Sequence, residues 1–563
     1  MSSSFEKHLS KPVFRDIPLS AQEWKEQLFV NPRKEIQLLN KNNDSIDNDE
    51  NHNYETTIEL RNEGTDYSES NSSTKDKLDH QEHVLEKCDS DKGSNSRFKP
   101  NYWALITSGS GLFSDGYINA SIGTVSLCLK RIYGDSYTNS NAIKNVSSIA
   151  FAGTVCGQLI FGHLADNYSR KFAMLLGTSM LILFSILCAG AWGVGTSNTV
   201  PGGLFAAITA YRFFLGIAIG SEYSSSSPAA AEAANSLPAD KRNRWFIWFT
   251  NFMIDFGFVV AAFVPLVLVW IFGENNLSPV WRLTIGLGAI PPISLFFMRL
   301  KFKEAESFKK TKFASHPPYW LVFKFYWFRT LVIGLIWFVY DFSTYAFGTY
   351  SSLIIEAIIG KEPPLTQTLG WNVVFNVFYL PGAFLGALFA DYFGVRLTLS
   401  VGLIVQAIIG FAMAGSLEHL KKNVAGFVVI YGVFITLGEF SAGDNIGCIA
   451  SKANASPIRG QVYGISAAIG KVGAFIGTYI FPIIINNAGG ADTTSGLQAP
   501  YYVSSSLCIF SAVLAFFLLP ALDPQSVLDE DAKFVSYLQS QGYDVSSMGT
   551  HDTDDESTTD LEK

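Results

Sequence analysis

Cysteine is scarce and scattered: six residues in 563, at Cys88, Cys128, Cys156, Cys188, Cys448 and Cys508, with no CxxC spacing. That pattern supports neither a disulfide framework nor a zinc site. Charged residues are few, at 16%, against about 25% in ordinary soluble domains. No Ser/His/Asp, HExxH or P-loop arrangement occurs, and the eight histidines lie mostly in tails and loops, which counts against an enzyme. The first hundred residues are polar, so no ordinary cleaved signal peptide opens the chain, and the first apolar run serves as the targeting signal. The acidic balance belongs to the ends: residues 1–100 hold 14 Lys/Arg against 20 Asp/Glu, and residues 522–563 hold 2 against 11. The middle is net positive, and nothing favours nucleic acid as a partner.

What the chain has is long apolar runs, with a mean hydropathy of +0.21 and 14% aromatics. Spanning-length stretches recur at about 103–127, 144–165, 172–193, 203–227, 245–271, 281–299, 327–353, 369–390, 397–416, 425–449, 461–484 and 501–521. Twelve spans predict an all-α membrane protein. Arg170, Lys171, Lys241, Arg242, Arg244, the Arg299–Lys324 cluster, Arg396, Lys452 and Arg459 fall on alternate loops, which places both termini in the cytoplasm. The polar loop between spans six and seven divides the set into six plus six. The expected organisation is a tail over residues 1–100, a first half over 101–300, a central loop over 301–326, a second half over 327–521 and an acidic tail over 522–563. Residues 40–98 and the end after Leu522 read as disordered, being too polar to offset chain ordering by burial. Phe14 to Leu39 shows some helical periodicity, open to docking or to a bare tail.

Charge at membrane depth is the informative exception. Lys471 sits inside the apolar segment Gly460–Ile485, and Asp115, Arg212, Asp255, Asp341 and Asp444 lie within other spans. Uncompensated charge is expensive there, and the mixture of cations and acids reads as an anion and proton pathway. The halves also repeat. GHLADNYSRK at Gly162–Lys171 recurs as ALFADYFGVR at Ala387–Arg396, Asp115 faces Asp341, and Asp255 faces Lys471. Parallel repeats with a site between them are a transporter architecture. Each charge has a structural alternative: Arg212 as a cation satisfied by a neighbouring helix, Trp337 as a packing or interface residue, and Asp255 with Lys471 as a permanent ion pair.

The first repeated element resembles the loop signature of the major facilitator superfamily, with Ser169 where glycine is usual and Val395 for arginine in the second copy. GLFSDGY at Gly111–Tyr117, YRFFLGIAIGSEY at Tyr211–Tyr223, WFVYD at Trp337–Asp341 and GISAAIGKVGA at Gly464–Ala474 resemble its phosphate:proton symporter branch. Within that branch, Gly443–Lys471 is most similar to the fungal glycerophosphodiester permeases. Asp444 stands where inorganic phosphate carriers have proline, Ile118 where they have a second aspartate, and Glu222 where they have aspartate.

The resemblance implies two six-helix halves and proton-coupled import of glycerophosphoinositol or glycerophosphocholine across the plasma membrane, without a metal or other cofactor. It implies Lys471 as phosphate ligand, with Arg212 as a second cation. Tyr223, Trp337, Asp444 and Asn445 then line the alcohol moiety, while Asp115, Asp341 and Glu222 are the proton-carrier candidates. Asp166, Arg170 and Lys171 form a latch between helix ends, outside the site. Asp341, Trp337 and Tyr345 share one helix face at i±4 spacing, as do Asp115 and Asn119. The alternatives are an inorganic phosphate or sugar transporter, or a non-transporting nutrient sensor.

Overall fold

The computed structural model describes residues 9–17, 20, 36 and 102–549, apart from 139, 198–199, 315, 360–362, 492, 521 and 523–525. The stretch at 40–98 and the last residues, both read above as disordered, lie outside these. Among the described residues the protein is helical, with one isolated antiparallel bridge between Phe313 and Met548.

Among the described residues eleven helices are long and apolar enough to cross a membrane: Ala142–Asn167, Arg170–Ala189, Leu204–Ala234, Arg242–Phe272, Leu277–Leu300, Tyr319–Ser351, Leu365–Tyr392, Val395–Leu420, Val424–Lys452, Ser456–Asn487 and Thr494–Leu518. These correspond to spans two to twelve. Span one is interrupted: helix Tyr102–Gly109 ends in a tight turn at Ser110–Leu112 before helix Phe113–Tyr133 resumes. Within this turn only glycine fits at position 111. A Cβ there would lie 1.9 Å from Glu222 Oε2 and 2.3 Å from Arg299 Nη2.

Both faces of the bundle are joined across the two halves. On the face where residues 9–17 and the helix Ser526–Ser540 pack, Asp166 accepts from the backbone N–H groups of Gly460 (3.0 Å) and Gln461 (2.7 Å) at the start of span eleven. Arg170 reaches Asp166 at 3.1 Å and Glu232 at 2.8 Å, and Arg459 reaches Glu232 at 3.1 Å. The second, degraded copy keeps its latch: Asp391 pairs with Arg244 at 2.6 Å. On the opposite face Glu274 accepts from Thr366 N–H at 3.1 Å, and Arg131 donates to the Pro363 carbonyl at 2.9 Å.

The tail expected after Leu522 needs correction, because Ser526–Ser540 is a helix docked on the bundle. Its sequence carries an apolar stripe: Phe534, Tyr537 and Leu538 pack with Phe325, Tyr326 and Ile458. Residues 9–17 dock beside it. Arg15 pairs with Glu530 at 2.7 Å, Arg329 with Asp16 at 2.7 Å, and Trp327 donates to the Val13 carbonyl at 2.9 Å. Asp531 accepts from the N–H of Ser456 at 2.6 Å, where span eleven begins. Burial raises the Glu530 carboxyl, but Arg15 and Arg329 overcome it and hold the group down to about 2. A depressed carboxylate contributes its full stabilisation above the ordinary carboxylate range and loses it only as pH falls towards that lower value. The brace therefore keeps its strength between about pH 7 and about pH 5. Glu530→Gln is expected to raise proteolytic nicking of this tail about tenfold or more at both pH values, since it removes the nearest carboxylate partner of Arg15 and one of the two that hold Arg329. Unchanged nicking would show that the tail is held by its apolar stripe alone.

Candidate functional site

Lys471 lies mid-way along span eleven and is 1% exposed. Its ammonium donates to Tyr345 Oη at 2.5 Å and stands 3.3 Å from Asp341 and 4.0 Å from Asp115. It also lies over the rings of Tyr345 (3.8 Å) and Tyr223 (4.7 Å). Asp115 accepts hydrogen bonds from Tyr223 Oη, from Tyr345 Oη at 3.1 Å and from Asn119 Nδ2 at 2.5 Å. Spans one and seven thus present repeat-related aspartates to one cation on span eleven. A buried ammonium needs such partners, since an unpaired ion in low dielectric costs several kcal/mol.

This cluster borders a small cavity of about 40 Å³ lined by Tyr223, Asp255, Trp337, Asp341, Glu439 and Asp444 among others. Trp337 packs edge-on against Tyr223 and Tyr463, at 6.2 and 5.5 Å between ring centroids. Its face of span seven, with Asp341 and Tyr345, does line the cavity.

Several expected residues lie elsewhere. Glu222 is away from the cavity wall, bound by both oxygens to Arg299 at 2.6 and 2.5 Å, with Thr178 and Ser226 completing the arginine's bonds. Arg299, counted above as a loop charge, is fully buried. Arg212 is also buried and not beside Lys471; its electrostatic neighbours are Tyr137 and Cys188, and its Nε and Nη2 lack hydrogen-bond partners. Asn445 donates to the carbonyls of Phe440 (3.1 Å) and Ser441 (2.7 Å), which ties it to its own helix. Lys471 pairs with Asp341 and Asp115 rather than with Asp255, whose two oxygens have no hydrogen-bond partner.

Glu222→Gln is expected to destabilise the purified protein by about 3–5 kcal/mol, because it strands a buried arginine. The double variant Glu222→Met with Arg299→Met should recover most of that loss in a thermal melt. If Glu222→Gln leaves stability intact and instead uncouples protons, Glu222 belongs to the transport machinery after all.

Glu439 was missed by sequence reasoning. It opens a widened helical turn, Glu439–Gly443, as Glu222 opens Glu222–Ser226, and the two lie 217 residues apart. That offset matches the repeat and was available in the sequence as GSEY and GEFS. Such π-bulges mark functional stretches of helices.

The family description "Sugar (and other) transporter" matches residues 103–312 and 301–527. The chain is 55% identical over 454 residues to the "Major glycerophosphoinositol permease GIT3" of Candida albicans, covering 79% of this chain and 84% of that protein. It is likewise 55% identical to the "Glycerophosphocholine permease GIT4" of the same organism, covering 80% and 84%. The fold matches the proton:xylose symporter XylE with a TM-score of 0.62 at 16% identity, over 77% of this chain and 98% of that one. A bundle of apolar helices, a buried cation between repeat-related acids and a cavity between the halves agree with that kinship: the chain belongs to the sugar (and other) transporter family of the major facilitator superfamily and is a multi-pass membrane transporter, not an enzyme.

Proposed function

We propose that the chain imports glycerophosphodiesters together with protons across the plasma membrane, with both termini in the cytoplasm. The observation that carries this reading is Lys471 shared between Asp341 and Asp115 beside the central cavity. A phosphodiester oxygen arriving at the ammonium competes with those carboxylates, and a displaced carboxylate in a dry site favours a proton. Binding of the anion and uptake of protons are then one event. Inward movement of an anion against a negative interior costs about 2.3 kcal/mol per charge per 100 mV, so an anionic diester needs more than one proton for net positive charge entry. Arg212, with two unpartnered N–H groups, supplies the second phosphate contact in a conformation that brings it to the cavity. Tyr223, Trp337 and Asp444 line the alcohol moiety. The halves rock about this site as the latches at the two faces alternate.

The diester relatives support this substrate class, and Asp444 in the cavity wall argues against inorganic phosphate, since a further carboxylate repels a small doubly charged anion. The test is competition: uptake of labelled glycerophosphoinositol should be suppressed by unlabelled glycerophosphocholine and little affected by phosphate, glycerol 3-phosphate or sugars. Stronger suppression by phosphate than by either diester would refute the assignment.

A further inference from the structure

Asp255, Glu439 and Asp444 share one wall of the cavity, each no more than 2% exposed, with no lysine or arginine in ion-pair range among the described residues. Asn251 Nδ2 bridges two of them, 3.1 Å from Glu439 Oε2 and 2.8 Å from Asp444 Oδ1, and Tyr340 Oη donates to Glu439 Oε1 at 2.6 Å. These donors satisfy only part of the group. Both oxygens of Asp255 and Oδ2 of Asp444 are buried with no hydrogen-bond partner. The backbone makes room for the wall: a Cβ on Gly443 would lie 2.0 Å from Glu439 Oε2, and one on Gly386 2.2 Å from Asp444 Oδ2.

The two halves differ at this point. Glu222, the repeat counterpart of Glu439, is neutralised by Arg299. At the same 217-residue offset from Arg299 stands Phe516, so the second half lacks the neutralising arginine. Five carboxyl groups, the three of this wall with Asp115 and Asp341, then lie around the ammonium of Lys471, and buried acids without a cation favour protons. A diester with a neutral alcohol brings the wall no cation. A zwitterionic diester brings one, and its cationic end has aromatic walls in Trp337, Tyr340 and Tyr463 besides the carboxylates.

Building on the import reading above, we propose that Asp255, Glu439 and Asp444 form a cation subsite that takes the quaternary ammonium of a zwitterionic choline diester, with its phosphate towards Lys471. The transporter therefore prefers glycerophosphocholine to glycerophosphoinositol.

The test is binding of both labelled diesters to the purified full-length protein, wild type and Glu439→Gln, with a thermal melt to verify folding. Wild type should hold the choline diester more tightly. Glu439→Gln should weaken it about tenfold or more, as loss of a buried charge partner does, and leave the inositol diester unchanged or improved. Should Glu439→Gln not fold, Asp444→Asn is expected to weaken the choline diester more than the inositol diester, because its amide keeps a hydrogen-bonding oxygen while losing the charge. Equal losses for both diesters, or a wild-type preference for inositol, would overturn the subsite while leaving diester import standing. Unaltered selectivity with fewer protons carried per turnover would overturn it too, making the wall a proton store. Binding of neither diester by wild type would sink the import reading and the subsite together.

Discussion

Lys471→Ala is expected to reduce diester uptake about a hundredfold or more, the scale of losing a buried charge contact to a ligand, while the protein still reaches the cell surface. Asp115, one of the two carboxylates that now hold the ammonium, keeps its other hydrogen bonds, with Tyr223, Tyr345 and Asn119 as donors. Neutralising an acid by protonation relieves the remaining charge, so folding tolerates the change better than binding does. Lys471→Arg should be partly active at best, since a planar fork replaces a compact ammonium held 2.5 Å from Tyr345 Oη. Near-normal uptake by Lys471→Ala would remove this residue from the site.

Asp341→Asn and Asp115→Asn should each impair gradient-driven accumulation by about tenfold or more, because each removes a carboxylate that takes up a proton when the diester displaces it from Lys471. Accumulation must fail before exchange does. Exchange of internal for external substrate needs binding and rocking but no net proton movement, so the variant lacking the carrier should keep it. Asp341, 3.3 Å from the ammonium, is the nearer group and should show the sharper separation of the two assays. If both variants concentrate substrate normally and carry protons with it, coupling resides in another carboxylate of the cavity, with Glu439 the first to examine.

The parts of this arrangement that follow from periodicity and repetition were legible in the sequence. Asp115, Asp341 and Lys471 stand at repeat-related depths in apolar spans, and the structure brings their side chains together. Asp166 likewise sits at the latch that the family resemblance implied, and its repeat partner Asp391 holds Arg244. What was not legible depends on the partner chosen by packing. Arg299 follows an apolar run and reads as the start of a loop, yet the helix carries it far enough inward to close on Glu222. Asp255 matches Lys471 by offset, but helix rotation turns it towards the wall shared with Glu439 and Asp444, and Lys471 meets the aspartates of spans one and seven instead. The glycine at position 111 answers a side-chain pair on other helices, which no local pattern reveals. The docked tail was overlooked because its acidic surroundings hid a short apolar stripe whose charges are neutralised by Arg15 and Arg329, one of them from the opposite end of the chain.

The most direct measurement of the central claim is uptake of labelled glycerophosphocholine into liposomes containing only the purified full-length protein, with an imposed proton gradient. The account predicts accumulation above the external concentration when the outside is acidic, internal acidification that follows substrate addition, and loss of both in Lys471→Ala. Uptake that only equilibrates across the membrane and ignores the gradient, or the absence of any uptake by the folded protein, would contradict proton-coupled import.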